Sequence, residues 1–175
     1  MNPMPGHAIL SHGLNSSPRA AKVSAMAEIA ESMGWTTERP DYQDLDATQD
    51  LRRIDDRIER LLAHARTCGE RPLVLAGSSM GAFISALASR DVRVDGLFLM
   101  VPPVVMDGYP RQLAAAAVPT TVIHAWGDEI IPSGDVIRWA SQRRDKLILV
   151  DDEHRLTNHV QFCADAFGRF LQSID

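Results

Sequence analysis

Several strand-length stretches of this chain are apolar at consecutive positions rather than at every second one: Gly6 to Ser11 (GHAILS), Pro72 to Gly77 (PLVLAG), Val94 to Val101 (VDGLFLMV) and Thr120 to Trp126 (TTVIHAW). A strand with one wet face alternates polar and apolar residues, whereas a continuous run needs cover on both faces. Such strands belong to mainly parallel sheets with helices on each side. Helical periodicity fills the intervals. Val23, Met26, Ala27, Ala30 and Met33 form one stripe, entered at Ser17-Pro18 as cap and first turn and stopped at Gly34. Leu51, Ile54, Ile58, Leu61, Leu62 and Ala65 form a second stripe, closed near Gly69.

The remaining elements follow the same alternation. Trp35 to Pro40 is a further strand candidate, and a helix is expected from Met80 to Ser89. Ser133 is read as the cap of a helix reaching Arg143, Lys146 to Val150 as the last strand, and Val160, Cys163, Phe167, Phe170, Leu171 and Ile174 as the face of a closing helix. The expectation is an α/β fold: a doubly wound, mainly parallel sheet of about six strands. Residues 102–119 are the one long irregular connection, with room for a short helix.

At 175 residues the chain fits a single domain, 1–175, with no sizeable cap. Its 45% hydrophobic content supports a full core, and a net charge of −5 argues against nucleic acid as a partner. Met1 to Gly6 lacks the regions of a signal peptide, and Leu97 to Met106 is too short to cross a bilayer, so a cytoplasmic protein without membrane insertion is expected. Cys68 and Cys163 have no metal-ligand spacing and read as reduced thiols. Neither a metal nor a cofactor is expected.

The chemistry is concentrated in LAGSSMGAF, residues 75–83. Gly77-Ser78-Ser79-Met80-Gly81 follows a strand and opens a helix. Small residues two positions either side of a serine permit a sharp turn that lifts its oxygen clear of the sheet. A Gly/Ser loop without chemistry is the alternative, and Ser78, which lacks symmetric glycine flanks, is the local rival. A serine nucleophile needs a base. His154, directly after the last strand, is preferred, with His159 as the main alternative; His64 falls within a helix, and His7 and His124 fall in or beside strands, where packing is the expected role. Asp128, at the end of the strand before Ile130-Ile131-Pro132, is the expected acid, with Glu129 its competitor. An oxyanion would take the backbone N–H of Met80 and one from Ser11-His12-Gly13-Leu14-Asn15, with Leu14 preferred and Asn15 the alternative.

His12-Gly13, Gly77 to Gly81, Asp128 with Ile131-Pro132, and His154 together resemble the pattern of the α/β-hydrolase superfamily, over essentially the whole chain. HGLNSSP looks most like the corresponding stretch of small cap-less bacterial serine esterases. Ala125 departs from the glycine that many relatives carry before the acid, and Arg155-Leu156 from the small or aromatic residues more usual after the histidine. The resemblance implies strand order 2-1-3-4-5-6 and Ser79 beside the reversal of that order. The expected activity is cleavage of small carboxylic esters or thioesters through an acyl-enzyme. An open site walled by His12, Leu14, Asn15, Pro103, Met106, Tyr109, Trp126 and Ile130 would favour short acyl groups. A binding protein without turnover, or a lactone or carbon–carbon bond hydrolase, are the alternatives, since one fold hosts many chemistries.

Overall fold

The computed structural model describes residues 5–50 and 53–174. Leu51, read as part of a helical stripe, and Met1 to Met4 lie outside them. Strands β1 (His7–Ser11), β2 (Thr36–Glu38), β3 (Leu73–Ser78), β4 (Gly96–Met100), β5 (Thr120–Ala125) and β6 (Lys146–Val150) form a six-stranded sheet in the order β2-β1-β3-β4-β5-β6. Every neighbouring pair is parallel. The continuous apolar runs are the four inner strands, buried at every position, while the edge strands β2 and β6 are partly exposed.

Alternate strand residues feed two separate cores. Ile9, Leu73, Leu75, Leu97, Leu99 and Val122 pack beneath α3 (Ile54–Ala65), α4 (Met80–Ala88) and α5 (Ser133–Arg143). Ala8, Leu10, Val74, Ala76, Phe98, Met100 and Ile123 face α1 (Ala21–Ser32) and α6 (Val160–Gln172). The chain winds outward from β1 to β2 and then returns past β1 to β3. Right-handed crossovers put helices on opposite faces when the winding direction reverses, so α1 and α3 lie on different sides. The crevice at the carboxyl ends of β1 and β3, where the order switches, is where such sheets bind ligands.

Three local expectations are corrected. Ser17 does not cap α1: its Oγ accepts the Arg19 N–H and its carbonyl the Ala20 N–H, so a turn precedes a helix that begins at Ala21. Ser133 is the first residue of α5 rather than its cap, a place held by Pro132. Residues 102–119 contain no helix. A short helix the sequence did not announce, α2 (Gln43–Asp46), follows β2. Among the described residues no helix is long and apolar enough to cross a membrane.

Candidate active site

Ser79 occupies the single step between β3 and α4, at φ 55° and ψ −116°. Backbone this far into positive φ costs a non-glycine residue of order 1–3 kcal/mol unless neighbours impose it. Two contacts do. The Ser79 N–H donates to the Met100 carbonyl at 2.9 Å, and α4 is driven close against the sheet. A Cβ on Gly77 would stand 2.3 Å from the Gly81 backbone, and one on Gly81 would stand 2.0 Å from the Ser11 carbonyl oxygen. Both glycines are therefore demanded by backbone approach. Val101, at φ 43°, is a second strained residue, turning the chain away at the end of β4.

His154 and Asp128 arrive on the loops after β6 and β5. Asp128 is an acceptor only, so His154 donates from Nδ1 to Asp128 Oδ2 at 2.8 Å. That leaves the Nε2 lone pair for the Ser79 hydroxyl, 2.9 Å away. The other Asp128 oxygen accepts the N–H groups of Ile130 at 2.9 Å and Ile131 at 2.8 Å. Burial pushes the Asp128 carboxyl upward, but these hydrogen bonds, His154's first among them, outweigh it and hold the group below its ordinary range. Glu129, the competitor, instead accepts the backbone N–H of His154. His159, the alternative base, donates to Asp152 at 2.8 Å. That carboxylate also accepts the N–H groups of Glu153 and Asn158, which makes it the anchor of the loop carrying His154. His124 lies fully buried behind the acid, donating from Nε2 to the Ile131 carbonyl, and burial lowers its pKa.

The loop after β1 is held with equal care. His12 is 2% exposed, and both its nitrogens are engaged: Nδ1 donates to the Gly13 carbonyl at 2.7 Å and Nε2 accepts the Tyr42 N–H at 3.0 Å. His12 is thus not a wall for substrate; it fixes the Gly13–Leu14 peptide. Because a trans peptide points C=O and N–H oppositely, fixing that carbonyl aims the Leu14 N–H. The Asn15 N–H, the alternative donor, is taken by Asp46 at 3.0 Å. Among the described residues the N–H groups of Leu14 and Met80 have no protein partner. Asp46 forms a buried ion pair with Arg57 of α3. Sequence reasoning missed Tyr42, Asp46 and Arg57. The available signal was Arg57 itself, three residues after Ile54 and four before Leu61 on an otherwise apolar face.

A cavity of about 160 Å³ opens beside Leu14 and Met80, lined also by Asn15, Leu45, Ile54 and the Asp46–Arg57 pair. Of the expected walls, only Leu14 and Asn15 line it. Pro103 is buried and Met106 half-buried, while Tyr109 is buried with its hydroxyl donating to Asp55 at the start of α3. These three tether the 102–119 connection to the body of the protein. Trp126 and Ile130, 57% and 66% exposed, stand on the loop that carries Asp128. Among the described residues no cluster of His, Cys, Asp or Glu is arranged to hold a metal ion.

A six-stranded parallel sheet with a strained serine at its switch point, hydrogen-bonded to a histidine that is itself hydrogen-bonded to an acid, both on loops after later strands, is the arrangement of a hydrolase. The chain is 51% identical to a Xanthomonas campestris pv. campestris protein assigned to the α/β hydrolase superfamily, over 97% of this chain and 99% of that one, with a TM-score of 0.90. The protein belongs to the α/β-hydrolase superfamily. More distant structures share the fold: a lidless serine hydrolase, also from Xanthomonas campestris (21% identity, TM-score 0.74, 97% of this chain and 82% of that one), and Est1E from Butyrivibrio proteoclasticus (18%, TM-score 0.73, 98% and 89%). Neither family models nor curated protein sequences match the chain.

Proposed function

We propose that the protein hydrolyses small carboxylic esters or thioesters through an acyl-enzyme on Ser79. The observation that carries this reading is the unbroken chain from Asp128 Oδ2 through His154 to Ser79 Oγ, at 2.8 Å and 2.9 Å. Ser79 Oγ attacks the carbonyl carbon while its proton passes to His154 Nε2. The carbonyl oxygen becomes an oxyanion facing the N–H groups of Leu14 and Met80, donors already aimed before substrate arrives. His154 returns the proton to the departing alcohol or thiol as the carbon–oxygen or carbon–sulfur bond breaks. Water then attacks the acyl carbon while giving a proton to the same nitrogen; the bond from that carbon to Ser79 Oγ breaks, the proton passes from His154 to Oγ, and the acid leaves. Asp128 holds the imidazole in the tautomer that this cycle requires and stabilises the imidazolium.

Hydrolysis of p-nitrophenyl acetate, with labelling by a fluorophosphonate probe, tests the reading. Wild type should turn over the ester and become labelled. Ser79→Ala should lose turnover by a factor on the order of 10⁶ and take no label. An unlabelled wild type, or a variant with near-normal turnover, would refute the assignment and favour a binding protein on this fold.

A further inference from the structure

The cavity of about 160 Å³ beside the oxyanion donors has a direction relative to the catalytic groups. Around a tetrahedral carbon bonded to Ser79 Oγ, the oxyanion must face Leu14 and Met80. The leaving atom must face His154, which protonates it. One substituent remains, the acyl chain. The cavity shares Leu14 and Met80 with the oxyanion site, while its other walls are Asn15, Leu45 and Asp46 of α2, Ile54 and Arg57 of α3, and Gln49 and Asp50 of the segment between those helices. No residue of the loops carrying Asp128 or His154 lines it. A leaving group placed there would be turned away from its proton source. On the opposite side, Trp126 and Ile130 stand exposed on the acid loop, whose Trp126 and Gly127 N–H groups donate to the carbonyls of Val150, at the end of β6, and Asp152, on the histidine loop. Both side chains on that side face solvent.

From this geometry we infer that the cavity is the acyl subsite, and that it restricts substrates to short acyl groups on leaving groups of unrestricted length; the inference rests on the serine-hydrolase reading above. A cavity of ~150 Å³ holds a benzene ring, so this one admits about six carbon atoms. Its deepest walls are packed side chains. Leu45 and Ile54 are core residues, and the Asp46–Arg57 pair is buried, with Asp46 also accepting the Asn15 N–H, so in the wild type these side chains set the cavity's depth. The substrate class is therefore a short-chain acyl ester or thioester of a large apolar alcohol or thiol.

Two isomeric esters of identical composition separate the halves. Octyl acetate has a two-carbon acyl group and a long alcohol; ethyl octanoate reverses them. Wild-type protein should cleave octyl acetate with kcat/KM at least about tenfold above ethyl octanoate, the discrimination expected when a pocket excludes extra methylenes. Ile54→Ala, which lengthens the cavity, should narrow the ratio several-fold. If that variant does not fold, Ile54→Val and the wild-type ratio still decide. Equal rates, a reversed order, or no cleavage of octyl acetate by protein whose Ser79 takes a fluorophosphonate label would overturn the subsite and leave the nucleophile standing. Absence of labelling as well would overturn the reading beneath it.

Discussion

Gly81→Ala sets local propensity against tertiary contact, and the two disagree in sign. Gly81 lies in the first turn of α4, where exchanging glycine for alanine gains up to ~1 kcal/mol in an isolated helix. In the folded protein the new Cβ would stand 2.0 Å from the Ser11 carbonyl oxygen, 2.6 Å from its carbon and 2.8 Å from the His12 carbonyl oxygen. All three are backbone atoms, which cannot rotate aside. Reaching ordinary contact near 3.4 Å requires α4 and β1 to part by about 1.4 Å. That displacement carries the Met80 N–H and Ser79 away from the Leu14 N–H and from His154, whose bond to Ser79 Oγ is 2.9 Å. A 1 Å misplacement of reacting groups costs about 10²-fold, and forced overpacking costs about 1–3 kcal/mol. The variant should therefore lose at least about 100-fold in kcat/KM on p-nitrophenyl acetate, label more slowly with fluorophosphonate, and melt at a lower temperature. Gly134→Ala is the control, since its Cβ would meet only the Arg138 Nη1 at 3.5 Å. Gly81→Ala with a raised melting temperature and activity within threefold of wild type would refute the argument from backbone approach.

Two further outcomes follow from the hydrogen bonds. Asp128→Asn keeps an oxygen for the Ile130 and Ile131 N–H groups but loses the imidazole's tautomer partner, and should lower kcat by about 10⁴ with the protein still folded. His159→Ala should reduce thermal stability through the Asp152 anchor while costing far less turnover than His154→Ala, a comparison that steady-state kinetics and a melting curve read together. A last outcome concerns pH. Burial lowers the pKa of both His12 and His124, so the native state takes up their protons at lower pH than the unfolded chain does. Below about pH 6.5 the unfolded state binds more protons, and stability falls as pH falls, by up to ~1.4 kcal/mol per pH unit for each histidine. Urea titrations from pH 8 to pH 5 should show that loss, reduced in His124→Gln; a flat profile would contradict it.

Much of the site was readable because its parts leave local marks. Gly77 is a steric necessity of one tight turn, and a turn is a local object; Gly81 marks the same turn in the sequence, although the backbone it must clear is that of Ser11 and His12. Asp128 and His154 could be placed on loops because each follows a continuous apolar strand, and in a parallel sheet every strand ends on the same rim. The choice between His154 and His159 was made in space: both sit on one loop, and the Asp152 carboxylate holds one ring while Asp128 holds the other. Leu14 was preferred to Asn15 from the sequence, and in the fold Asp46 occupies the Asn15 N–H. His12 was expected as a wall and is a buried strut, because its partner Tyr42 lies thirty residues on.

Beyond the strand order, which only the family resemblance implied, the order of residues by itself determined the alternation of strands with helices and the kink at Ser79. These depend on side-chain periodicity and backbone sterics, which act between near neighbours. The tertiary structure alone decided how α2 and α3 shape the space beside the oxyanion donors. The Asp46–Arg57 pair and the cavity beside it are made by segments whose approach no local pattern encodes. A pocket is the volume left between elements, and it has a size only once they have packed.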